Sequence, residues 1–220
     1  MNLDLNPEES ALVRRHPLFE GLSDTDFARA LGAYRARIVA YRAGSALLRA
    51  GEPFEAFGLV LAGLVQVSFH GPEGDRMIMA HVTPGASFGE SLCYLREESE
   101  VFVSAEADSR VLWLDPAGLD SGDPFARALF RRFTGVLARR TLTMNHRIQI
   151  LSKLTLREKI MAFFSFYGNS DGRPFTVPFK RADMALYLGA DRSALSRELA
   201  RMKAEGLLDY EGSCFRLRSL

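Results

Sequence analysis

The sharpest constraint on the fold is a change of texture near Pro116. Between Arg35 and Leu114, glycines at 44, 51, 58, 63, 71, 74, 85 and 89 cut the chain into short runs rich in Val, Leu, Ile and Phe. Within Leu64–His70, Val65, Val67 and Phe69 alternate with Gln66, Ser68 and His70, the two-residue period of a half-buried strand. Gly71–Asp75 reads as a hairpin turn leading into Arg76–Val82, and Val101–Ala105 with Arg110–Leu114 forms a second alternating pair. Many short strands joined by glycine turns fold as an antiparallel barrel or sandwich. Ahead of them, Glu8–Leu31 has a helical pattern broken by Pro17, with Ser23 placed to cap Asp24–Leu31.

Past Pro116 the strand signal stops. Phe125, Leu129, Phe133, Val136, Met144, Ile148 and Leu151 follow three-and-four spacing in places, with arginines between them. This predicts one amphipathic helix of about 27 residues, roughly 40 Å long. No small domain needs such a rod for its own core. Packing against the barrel accounts for part of the stripe. A partner helix in a coiled-coil-like seam accounts for its length, so a homodimer is expected.

Length and composition narrow the setting. A chain of 220 residues accommodates two domains, and 47% hydrophobic with 25% charged residues argues against extensive disorder. No apolar run approaches the roughly 20 residues of a membrane span, and Met1–Ser10 is polar and acidic. A cytoplasmic protein without a membrane partner is expected. Cys93 and Cys214 stand far apart with no CxxC, which supports neither a disulfide framework nor a cysteine metal cluster. The net charge of +1 is uneven: residues 1–149 carry 16 Lys and Arg against 19 Asp and Glu, residues 150–220 carry 12 against 8. A basic segment following an acidic one points to a polyanion as partner of the smaller part.

The most informative stretch is Phe179–Leu217. Lys180–Leu188 reads as a short helix and Gly189-Ala190 as a tight turn. Asp191 stands where an N-cap belongs, and Arg192–Ala204 forms a second helix ended by Gly206. Leu195, Leu199 and Met202 share one face of it, while Arg192, Ser193, Ser196 and Arg197 share the other. A helix pair with one core face and one hydrogen-bonding face is the layout that reads double-stranded DNA. Arginine can donate two hydrogen bonds to guanine O6 and N7, and the serines are small enough to let the helix approach. Lys180 and Arg181, at the start of the first helix, are placed for phosphate. Leu207–Tyr210, a turn at Glu211-Gly212-Ser213 and Cys214–Leu217 supply a hairpin wing.

The stretch Arg181–Leu208 closely resembles the winged helix-turn-helix of the Crp–Fnr family (cyclic-AMP receptor protein and fumarate–nitrate regulators). Tyr41–Gly44, Gly51-Glu52, Phe57–Val67 and Pro84–Glu90 match the family's N-terminal part, so the likeness covers almost the whole chain. It implies an α+β chain with an N-terminal antiparallel β-roll of the cyclic-nucleotide-binding type at 1–120. A dimerisation helix follows at 121–151 and a winged helix-turn-helix at 152–220. It also implies a homodimer on a two-fold-related operator with half-sites about one helical turn apart, and RNA polymerase as a further partner. Family members that read a TGTGA-type half-site carry Glu directly after the arginine matching Arg192. Here Ser193 stands instead, so a different operator is expected.

The same resemblance implies a small-molecule effector between roll and dimer helix, with Gly89, Glu90, Ser91, Ser99, Met144 and Asn145 as candidate contacts. Gly89-Glu90 matches the family's Gly-Glu pair, which holds the ribose. The phosphate-binding arginine falls near Ser99, followed by Glu100, and the effector-contacting Thr-Ser pair aligns with Met144-Asn145. A cyclic phosphate beside Glu97, Glu98 and Glu100 without a fixed cation is unfavourable, so cyclic AMP in the usual mode is not expected. Gly89-Glu90 has a structural alternative, a strand end and a helix start. An iron–sulfur cluster needs an N-terminal cysteine group, and none precedes Cys93. A haem-based regulator, ligated by His16, His70, His81, His146 or Cys93, stays open as an alternative. So does an effector-gated protein-interaction module. Leu154-Thr155-Leu156 is the expected hinge. No nucleophile–base pair, metal-spaced ligand set or phosphate loop marks an enzyme.

Overall fold

The computed structural model describes residues 3–70, 76–119, 122–168, 172–177 and 179–218. The chain divides into two compact units, Met1–Ala138 and Arg139–Leu220.

The first unit opens with α1 (Pro7–Arg14) and α2 (Asp24–Ala33). Asn6 caps α1 in a reciprocal box with Glu9, and Ser23 caps α2 by accepting from the Asp26 amide. Eight strands follow: β1 (Arg37–Tyr41), β2 (Ala46–Leu48), β3 (Phe57–Ala62), β4 (Val65–His70), β5 (Arg76–Val82), β6 (Ser87–Phe88), β7 (Val101–Ala105) and β8 (Ser109–Leu114). Helix α3 (Glu90–Leu95) lies between β6 and β7. The strands form two antiparallel sheets, ordered β1-β8-β3-β6 and β2-β7-β4-β5. Leu59, Val111 and Leu112 from one sheet and Val65 and Val103 from the other share a single core, which makes the unit a β-roll. The expected turn at Gly71–Asp75 lies outside the described residues, while β4 and β5 on either side of it pair antiparallel. A buried Glu9 carboxylate takes two hydrogen bonds from Arg110 of β8, at 2.7 and 3.2 Å, and fixes α1 to the roll.

A single turn at Pro116–Leu119 precedes α4 (Pro124–Leu151), 28 residues long. Its apolar stripe has two fates. Leu129, Phe133 and Val136 are buried in the roll core, with Phe125 packed beside them, whereas Met144, Ile148 and Leu151 are exposed. Residues 138–145 between the two stretches are exposed without interruption.

The second unit takes the end of α4, α5 (Leu156–Tyr167), β9 (Phe175–Thr176), α6 (Arg181–Tyr187), α7 (Arg192–Ala204), β10 (Leu208–Glu211) and β11 (Cys214–Leu217). Ile150, Ile160, Phe163, Phe164, Leu195, Leu199, Met202 and Phe215 are among its core residues. The three strands pair in the order β10-β11-β9. Strand β9 is too short for any alternation to announce it. Leu154-Thr155-Leu156 corrects the hinge expectation. Thr155 caps α5 in a box with Glu158, and Ile150 before it and Ile160 after it sit in one core. A segment that joins two helices of the same core is a corner.

Candidate nucleic-acid interface

The geometry of α7 follows from its sequence period. Leu195, Leu199 and Met202, four and three residues apart, are each fully buried, and complete burial of such a side chain stabilises by about 1.5–3 kcal/mol. The helix is thereby held by its back. Asp191 caps its first turn, accepting from the amides of Ser193 (2.8 Å) and Ala194 (3.1 Å). The Ser193 hydroxyl and those amides hold the Asp191 carboxyl below the ordinary carboxylate range. Gly206 ends the helix in the left-handed region, at φ 76°.

Arg192, Ser193, Ser196 and Arg197 are all exposed on the face away from the core. The Ser196 hydroxyl donates to the Arg192 carbonyl at 2.9 Å, and Arg197 donates to the Ser193 hydroxyl at 3.2 Å. Both guanidiniums keep further free donors over open solvent. This face is a donor surface one helix wide, of the size the major groove admits.

Two sets of contacts aim the helix. From α5, Arg157 gives two hydrogen bonds to Glu205 (2.6 and 2.9 Å) and one to Glu198 (2.7 Å), tying the middle and the C-terminal end of α7 to its neighbour. Glu205 first, and Glu198 second, raise the Arg157 guanidinium above its ordinary value. Sequence reading missed this clamp, because residues 41 and 48 positions apart leave no local signal. Arg181 holds the wing. Its guanidinium lies 5.1 Å from the ring centres of Tyr210 and Phe215 and donates to the Gly212 carbonyl at 3.0 Å. Burial lowers its pKa from the ordinary arginine value. Arg181, which the sequence places for phosphate, is thus engaged with the wing. Lys180, at the cap of α6, is exposed.

The candidate effector residues behave differently. Gly89 sits at φ 85°, and a Cβ there would meet the Phe54 ring at 2.1 Å, so backbone and packing both demand glycine. Glu90 is buried and accepts from the Ser87 hydroxyl, which in turn lies 3.1 Å from His16 Nε2. The Ser99 hydroxyl is bonded to the backbone of Val101. A cyclic nucleotide needs a carboxylate aimed at ribose and a cation at the phosphate, and Glu90 and Ser99 do not fit that requirement. Ser91 is exposed; Met144 and Asn145 belong to the second unit and are exposed there.

The haem-ligand candidates are similarly occupied. His16 contacts Ser87, His81 contacts Gln66 at 3.1 Å, and His146 stacks on Phe166 with ring centres 4.1 Å apart. The side chain of His70 lies outside the described residues. Cys93 is buried and its thiol is pushed up to about 12, chiefly by that burial, which keeps it a protonated thiol rather than a thiolate.

Comparison with known proteins agrees with this architecture. Residues 38–121 match the cyclic nucleotide-binding domain family, and residues 137–220 match the Crp-like helix-turn-helix domain. The chain belongs to the Crp–Fnr family of transcription regulators. A curated member, the anaerobic regulatory protein of Pasteurella multocida (strain Pm70), is 24% identical over 174 residues, 76% of this chain and 63% of that protein. Among solved structures, FixK2 from Bradyrhizobium japonicum is 22% identical and covers 84% of this chain and 93% of its own, at a TM-score of 0.55. The c-di-GMP-responsive global regulator CLP of Xanthomonas campestris is 17% identical and covers 90% and 100%, at 0.58. This Crp–Fnr chain therefore carries a cyclic-nucleotide-binding-like roll, a long helix and a DNA-binding helix-turn-helix.

Proposed function

We propose that this family member is a homodimeric, sequence-specific DNA-binding regulator. On this reading Arg192 and Arg197 contact base edges, Ser193 and Ser196 contact bases or phosphates, and Lys180 contacts phosphate. Arg181 orients the wing and supplies charge beside it. The observation that carries the reading is α7, locked from behind by Leu195, Leu199 and Met202 with its arginines exposed in front. The exposed Met144, Ile148 and Leu151 of α4 supply the seam for a second copy. Two copies place two recognition helices on a two-fold operator. The protein acts in the cytoplasm, without catalysis and without a membrane, alongside RNA polymerase. No helix among the described residues is long and apolar enough to cross a bilayer.

Control comes from a small effector bound by the roll against α4, which shifts the population of the DNA-competent dimer. The internal bonds of Glu90 and Ser99 favour an effector other than cyclic AMP in the usual mode. Selection of binding sites from a random duplex library tests the reading. The expected result is one two-fold consensus; recovery of unrelated sequences refutes it.

A further inference from the structure

The roll carries a cavity of about 700 Å³ whose lining takes Cys93, Tyr94 and Arg96 from α3 and its end but none of the candidate effector contacts Gly89, Glu90, Ser91 and Ser99. Small-molecule sites span about 300–1,000 Å³. Phe54, Cys93, Leu119 and Phe130 line it on the apolar side, and Arg35, Arg96 and Arg127 line it on the polar side. Glu55 and Asp115 also reach it, but Asp115 is already paired with Arg35 at 3.2 Å. Among the described residues Arg96 and Arg127 have no ion-pair partner.

The backbone singles out the same place. Among the described residues, the non-glycine residues in the left-handed region are Arg35 (φ 45°) and Arg96 (φ 55°), and both line this cavity. Each follows a helix at the position where glycine is the ordinary choice. The Arg35 amide bonds to Gly32 and the Ala36 amide to Leu31 behind α2; the Glu97 amide bonds to Leu92 behind α3. At α7 the same position is filled by Gly206. A chain that twice places arginine where glycine is easier, both times on one cavity, holds two cations in reach of it. Non-glycine residues held in this region are uncommon and cluster at functional sites.

We propose that this cavity binds a small amphipathic carboxylate, its hydrocarbon or aryl body against Phe54, Leu119 and Phe130 and its carboxylate between Arg35, Arg96 and Arg127. The guanidinium fork matches a carboxylate in plane and in charge. Occupancy is felt at α4, because Tyr94 of α3 lines the cavity and its ring centre lies 6.0 Å from that of Phe130 and 5.9 Å from that of Phe133.

Octanoate, with octanamide as its uncharged counterpart, tests this on the full chain by calorimetry and by emission of the single tryptophan, Trp113, whose ring centre is 6.2 Å from that of Phe54. Saturable binding of one octanoate per chain with a change in Trp113 emission is expected, with octanamide at least about tenfold weaker. The double variant Arg35→Gly/Arg96→Gly gives the left-handed backbone its preferred residue. It should keep or raise the melting temperature while weakening octanoate about tenfold or more. No saturable binding below the aggregation threshold, equal affinity for octanamide, or undiminished binding by the double variant overturns the proposal. The titration uses no DNA, so its outcome is separate from that of the operator selection.

Discussion

Ser193 is the residue at which this chain parts most clearly from relatives with Glu after the matching arginine. Its short hydroxyl donates to Asp191 and accepts from Arg197, so it lacks the reach and the charge with which a carboxylate accepts from cytosine. Ser193→Glu is expected to change the consensus recovered by site selection while leaving the melting temperature within a degree or so; an unchanged consensus contradicts the assigned contact. Behind it, Leu195→Ala empties a fully buried position and should destabilise the second unit by about 2–5 kcal/mol in urea unfolding. Such residues were legible from sequence because helical period alone separates α7 into a buried and an exposed face. Arg181 was less legible. Its position at the start of α6 is local, but the rings it covers come from Tyr210 and Phe215, across the wing.

At the scale of elements, the second unit leans on carboxylates held below their ordinary range. Asp191 is held there by the Ser193 hydroxyl, Glu205 by Arg157, Asp209 by Lys203 and Glu158 by the Thr155 backbone. Each binds protons less readily when folded than when unfolded. Their contribution is complete above the ordinary carboxylate pKa of about 4 and is lost as pH falls through the lower folded values. The thermal midpoint of the second unit should therefore fall steeply below about pH 4. Arg157→Met should flatten that slope by releasing Glu205; an unchanged slope contradicts the clamp. Strand pairs and helix ends were readable in advance because glycines, prolines and caps act locally. The two-residue β9, the clamp between α5 and α7, and the cavity beside α3 were not readable. Each is made by residues brought together only on folding.

At the scale of the whole molecule, α4 serves two purposes along one stripe. Its first half completes the roll core, and its second half exposes Met144, Ile148 and Leu151, the seam proposed for a second copy. Ile148→Glu is expected to shift the protein from dimer to monomer in sedimentation velocity, with the fold of each unit retained by circular dichroism. A variant that stays dimeric places the seam elsewhere. The long helix was predictable from its period, but which half packs inward was not, because both halves carry the same apolar spacing. The measurement that tests the account most directly is the affinity of the purified protein for its selected duplex, wild type against Arg192→Ala/Arg197→Ala, at fixed salt. The prediction is a loss of about 1–3 kcal/mol for each arginine, with the preference over random DNA abolished and the melting temperature unchanged. Retention of that preference by the double variant would contradict the reading of α7 as the element that recognises DNA.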